Sequence, residues 1–218
     1  MHTRIYFFCC MIMAILFANS AMAQAFVKGS VLVSISEGGT YATYTTVHTG
    51  DGIRNQGSSN GARDPLTIEY GLAPHWGIGI NMGGDILHVD PSVYYGFNTA
   101  KNKVQVITSE LTFDVHYHFR TTKRSDISGF ASAGPSGVII QGNDADSKYK
   151  YTAGGSIIRI GGQARYYIWK GLGVHGMVSA YSSSCTYTNT GGNTVGNGYS
   201  TTIRGLAWEI GLCYRLFR

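Results

Sequence analysis

The sequence predicts an all-β fold: an eight-stranded antiparallel up-and-down transmembrane β-barrel behind a cleaved signal peptide. Three observations lead there. Apolar and polar residues alternate with period two in eight segments. The connections between those segments alternate long and short. The composition is glycine-rich and charge-poor, with 30 Gly and 13% charged residues in 218, against about 7% Gly and about 25% charged in a soluble domain. A disordered chain is excluded by 44% hydrophobic and 12% aromatic content. The net charge of +5 is mild and includes no long basic run, so no nucleic-acid partner is expected.

The chain divides into a signal peptide at 1–23 and a barrel at 24–218. Arg4 supplies the positive start, Ile5 to Ala18 the apolar core, and Ala21-Met22-Ala23 the small-residue cleavage pattern. The apolar run falls short of the roughly 20 residues a membrane-spanning helix needs.

The eight strands are read at 26–36, 65–73, 76–87, 104–120, 125–140, 154–169, 172–184 and 200–217. In the fourth, Ile107, Leu111, Phe113, Val115, Tyr117 and Phe119 share one face, while Glu110, Asp114, His116, His118 and Arg120 share the other. The last repeats this, with Leu206, Trp208, Ile210, Leu212 and Tyr214 against Gly205, Ala207, Glu209, Gly211 and Cys213. The fifth is the least patterned, because Gly, Ala and Ser blur its faces. Pro74-His75, 121–124 and Lys170-Gly171 read as tight turns. The stretches 37–64, 88–103, 141–153 and 185–199 read as four long external loops. Short turns at one end and long loops at the other are the pattern of an outer-membrane barrel.

The face carrying the aliphatic bands and Trp76, Phe119, Tyr166, Trp208 and Tyr214 is expected to meet lipid, with aromatics near the interface. The opposite face carries ionisable groups of both signs. Lys28, Arg120, Arg159, Arg165 and Arg215 oppose Glu69, Asp85, Glu110, Asp114 and Glu209. Because buried charges need partners, these ten are expected to form a structural charge network that plugs the lumen. Cys185 and Cys213 fall at different heights and are expected to be free thiols.

Lys28-Gly-Ser-Val-Leu-Val, Glu69-Tyr-Gly-Leu-Ala-Pro-His-Trp-Gly-Ile-Gly-Ile and Glu209-Ile-Gly-Leu-Cys-Tyr-Arg-Leu-Phe occur in order, after the Ala-Met-Ala site. With them the chain resembles the small eight-stranded outer-membrane β-barrel family, OmpA/OmpX-like and of the Bacteroidetes type. The resemblance covers essentially the whole chain after residue 23. It implies residence in the outer membrane of a Gram-negative cell and insertion by the barrel-assembly machinery. Family members commonly end in an aromatic residue, whereas here Phe217 is followed by Arg218.

No catalytic constellation stands out, and no enzyme is expected. His88 with Ser182 or Ser184 would be the material for a lipid-modifying rim enzyme, but strands three and seven stand on opposite sides of an eight-stranded ring. Asp114, His116 and His118 share a face at a spacing of about 7 Å, awkward for one ion, so no metal and no cofactor are expected. The loops are the expected contact surface, with candidates Tyr41, Tyr44, Tyr94, Tyr95, Lys148, Tyr149, Lys150 and Tyr151. The expected function is structural or in surface recognition and adhesion, with a lipid-modifying rim enzyme or a narrow transporter as alternatives. The expected partners are outer-membrane lipid and lipopolysaccharide, the assembly machinery, and an extracellular ligand or host surface, around a monomer.

Overall fold

The computed structural model describes residues 26–48, 50, 52–89, 104–143, 148–169, 171–187 and 199–217. The segment expected to be the signal peptide, and the loop candidates Tyr94 and Tyr95, lie outside the described residues. The strands are β1 (Val31–His48), β2 (Arg54–Arg63), β3 (Leu66–Ala73), β4 (Trp76–Gly83), β5 (Asp85–Val89), β6 (Val104–Thr121), β7 (Ser125–Asn143), β8 (Lys148–Trp169), β9 (Leu172–Tyr187) and β10 (Tyr199–Phe217).

These ten segments build eight staves, all paired antiparallel. β2 and β3 form one stave, because β1 pairs with both in one unbroken register, Gly38 opposite Arg63 and Ile35 opposite Leu66. The gap between them is Asp64-Pro65, where proline has no N–H to give the ladder. β4 and β5 likewise form one stave against β6, with Gly83 opposite Glu110 and Ile86 opposite Ile107. The ring closes where β10 pairs with β1 along its whole length, from Val31 opposite Phe217 to His48 opposite Tyr199.

All the short connections lie at one end, at 74–75, 122–124 and 170–171. The turn after β8 requires Gly171, which has φ of 101°. The other end differs from the sequence reading. The first long loop is not 37–64, since β1 runs to His48 and β2 starts at Arg54. The other three are shortened too, because β5 extends to Val89, β7 to Asn143 and β9 to Tyr187, while β8 begins at Lys148. The first strand starts at Val31 rather than at 26, and residues 26–30 form a turn beneath it.

Around the half nearer the short turns runs a belt of exposed apolar side chains, including Ile68, Ile80, Phe113, Ile160, Val178 and Ile210. Tyr70, Trp76, Tyr117, Phe119, Tyr166 and Trp169 edge it near those turns, and Tyr41 and Trp208 edge it on the far side. Trp76 packs edge-on against Tyr117, with ring centroids 4.9 Å apart. This is a hydrocarbon-facing band with aromatic borders. Beyond it the staves continue outward, with their exposed positions turning to Thr, Ser, Gln and Asn.

Candidate functional site

The lumen is filled in layers. At the short-turn end, Phe26 enters from below β1 and joins Leu32, Tyr167 and Cys213 in a buried apolar cluster. Its backbone is tied to the wall, with Gly29 N donating to Gly71 O at 2.7 Å and Gly71 N donating to Ser30 O at 2.9 Å.

Directly above lies a first ionic layer. His118 on β6 stacks on Phe26 with centroids 3.5 Å apart. Its Nδ1 lies 2.7 Å from Asp126 Oδ1 and its Nε2 lies 2.8 Å from Glu69 Oε1. Arg165 on β8 bridges the same two carboxylates, reaching Glu69 with Nη2 and Asp126 with Nη1 at 3.1 Å. His116 stands one inward position higher, with Nδ1 3.0 Å from Gln163 Nε2. Asp114 accepts from Thr112 Oγ1 at 2.9 Å. Glycine makes room for this layer, since a Cβ at Gly77 would overlap the Glu69 carboxylate.

A second ionic layer centres on Arg63. It donates from Nε to Glu209 at 2.6 Å, from Nη1 to Asp85 at 3.3 Å, and from Nη2 to Glu110. Arg159 on β8 clamps Glu110 through Nη2, at 2.9 and 2.7 Å to its two oxygens. Arg159 also donates to Ser179 Oγ at 3.0 Å and lies 5.1 Å from the centre of the Tyr181 ring. Ser36 donates to Glu209 and Thr108 to Asp85. Charge-assisted bonds of this kind offset the large cost of dehydrating each ion.

The outer end closes with an apolar layer of Tyr44, Leu87, Val106, Val138, Ile140, Ile157, Ile203 and neighbours. Hydroxyls finish the stack, with Tyr187 and Thr46 each within 3.0 Å of Thr201 Oγ1.

Seven of the ten expected network residues are therefore buried in the lumen: Glu69, Asp85, Glu110, Asp114, Arg159, Arg165 and Glu209. Two of the other three, Lys28 and Arg120, lie outside it. Lys28 is exposed, because the chain at 26–30 turns and sends Phe26 inward instead. Arg120 is exposed, because the β6–β7 register shifts between His118 and Arg120 and breaks the alternation there. Arg215 is half-buried at the short-turn end, 5.1 Å from the centre of the Tyr167 ring. Two central members escaped the sequence reading. Arg63 falls in the stretch 37–64 that the sequence presents as a loop, and Asp126 sits on the strand whose faces Gly, Ala and Ser blur. The signal for Arg63 was its place two residues before Pro65, in line with the alternation of β3.

The loop candidates also move. Tyr41 and Tyr44 are on β1, Tyr41 outward and 52% exposed, Tyr44 inward and 2% exposed. Lys148, Tyr149, Lys150 and Tyr151 open β8 rather than lying in a loop. Cys185 and Cys213 are free and buried, one in the outer apolar layer and one in the cluster around Phe26. His88 on β5 and Ser182 and Ser184 on β9 stay on well-separated staves.

No protein-family model matches the chain, and no curated protein does. Solved structures do. The outer-membrane protein AlkL, determined by solid-state NMR, aligns with a TM-score of 0.53 at 13% identity, over 90% of this chain and 94% of that one. The attachment invasion locus protein Ail of Yersinia pestis aligns with a TM-score of 0.47 at 12% identity, over 87% and 99%. The outer-membrane protease OmpT of Escherichia coli aligns with a TM-score of 0.46 at 12% identity, over 90% and 99%.

The fold is that of the outer-membrane β-barrels. Together with the apolar belt, it places the chain in the bacterial outer membrane. One expectation is corrected. The expectation that the chain is no enzyme does not stand, because this fold, shared with AlkL, does not fix function and leaves catalysis open.

Proposed function

We propose that this chain is a plugged barrel of the small OmpA/OmpX-like kind found in Bacteroidetes-type bacteria, exported by residues 1–23 and working as a monomer in surface recognition or adhesion. One observation carries this reading. Among the described residues, the lumen holds in turn the Phe26 cluster, two paired ionic layers and an apolar cap, which leaves the external end as the face on which partners act. Outer-membrane lipid and lipopolysaccharide surround such a barrel, the assembly machinery inserts it, and an extracellular ligand or host surface meets the connections at 49–53, 90–103, 144–147 and 188–198.

The test is a pull-down from intact cells, comparing the full barrel with one whose four external connections are cut to tight turns. Partners lost on shortening support recognition, and identical partners overturn it. A stable open-channel conductance in planar bilayers would replace the plugged reading with a narrow transporter.

A further inference from the structure

We infer that the outer wall formed by β10, β1 and β2, just beyond the membrane belt, binds the phosphorylated saccharide headgroup of an outer-leaflet glycolipid. The site rests on the outer-membrane reading but not on recognition by the loops.

The wall there holds a groove of about 600 Å³. Strand register fixes its floor. Thr43 lies opposite Arg204, Thr45 lies between Thr202 and Gln56, and Arg54 is the next outward residue beyond Gln56. All six line the groove. Both arginines are exposed. Neither has a carboxylate partner within 4 Å among the described residues, whereas Arg63, Arg159 and Arg165 in the lumen all do. With its amide oxygen turned toward Arg54, Gln56 accepts from Nε and Nη2 at 2.8 Å each, which holds the guanidinium over the groove floor.

Depth selects the ligand. From Arg204 toward the membrane, the next outward residues on β10 are Leu206 and Trp208, and from Thr43 on β1 the next is Tyr41. The groove thus begins where the aromatic border of the belt ends, at the level of lipid headgroups. Guanidinium groups bind phosphate through paired, charge-assisted hydrogen bonds. The threonine hydroxyls and the Gln56 amide offer donors and acceptors suited to sugar hydroxyls. A soluble phosphosugar has the same chemistry but lacks the acyl chains that would pack on Leu206 and Trp208.

The experiment titrates the purified full barrel in detergent with lipid A and reads bound lipid by native mass spectrometry. Folding of every variant is checked by its heat-dependent gel mobility. Retention of lipid A is expected, with affinity falling at least about tenfold in the Arg54→Ala/Arg204→Ala double variant and recovering in part with Lys at both positions. Dephosphorylated lipid A is expected to bind as weakly as lipid A binds the double variant. Equal binding by wild type and double variant, or by lipid with and without phosphate, overturns the site. Glucosamine 1-phosphate that displaces lipid A at equal concentration overturns its lipid source. The barrel with shortened loops is expected to keep lipid A even where it loses its surface partners, and loss of lipid A there would overturn placement on the wall.

Discussion

On β10, Glu209 points into the lumen and Ile210 into lipid. Farther out on the same strand, Ile203 points into the lumen and Thr202 into solvent. The two halves of the barrel obey one alternation with opposite polarity. In the membrane half, the outside is apolar and the inside holds Glu69, Asp126, Arg165, Arg63 and Glu110. In the external half, the outside carries Thr43, Gln56, Ser184 and Thr202, and the inside holds Leu87, Val138, Ile140 and Ile203. The solvent on the outer face decides. Where it is hydrocarbon, burial of apolar groups in the lumen gains nothing over exposure, so the interior can be polar as long as it is paired. Where it is water, the ordinary hydrophobic core returns.

This contrast can be broken in steps. The largest effect is expected from Arg63→Met, which leaves Asp85, Glu110 and Glu209 gathered with one cation fewer. A loss of about 3–5 kcal/mol follows from uncompensated buried charge, read by urea unfolding in detergent micelles. Removing the carboxylate left without a cation, with a Glu209→Gln change in the Arg63→Met background, is expected to recover part of that loss by the same measurement.

Next comes Val115→Arg, which puts a cation in the belt and is expected to cost about 2–4 kcal/mol. In the external half, Ile157→Val trims the apolar layer and is expected to cost about 0.5–1.5 kcal/mol. Smallest is Ser184→Arg, an outward position beyond the belt, expected to change stability by less than about 0.5 kcal/mol. If Val115→Arg and Ser184→Arg proved equally costly, the boundary between the two halves would be misplaced.

The same contrast explains what could be read from the sequence. The membrane half was legible, because charged and bulky apolar residues alternate there with high contrast, as in Leu111 to His118. The external half was not. Residues 54–63 read Arg-Asn-Gln-Gly-Ser-Ser-Asn-Gly-Ala-Arg, a run with little intrinsic strand preference. They are extended because β1 pairs with them on one side and β5 with their end on the other, which is tertiary information. Tyr41 and Tyr44 looked like loop residues because of those neighbours. Arg63 was lost with them, although it is the cation around which the second ionic layer is arranged. The inner cluster at Phe26 was hidden for a different reason, since a turn rather than a strand brings it into the lumen.

The seam between β1 and β10 has a consequence for how the molecule comes into being. It joins Val31 to Phe217, nearly the whole described chain apart. Loop closure over that distance costs entropy that only the finished seam repays, and pairings of such long sequence separation are slow. Until the last strand arrives, both edges of the sheet remain open to pairing with other chains. A ring with this closure cannot protect itself stave by stave as it is synthesised. Its edges disappear in a single event, after the final residues have been delivered.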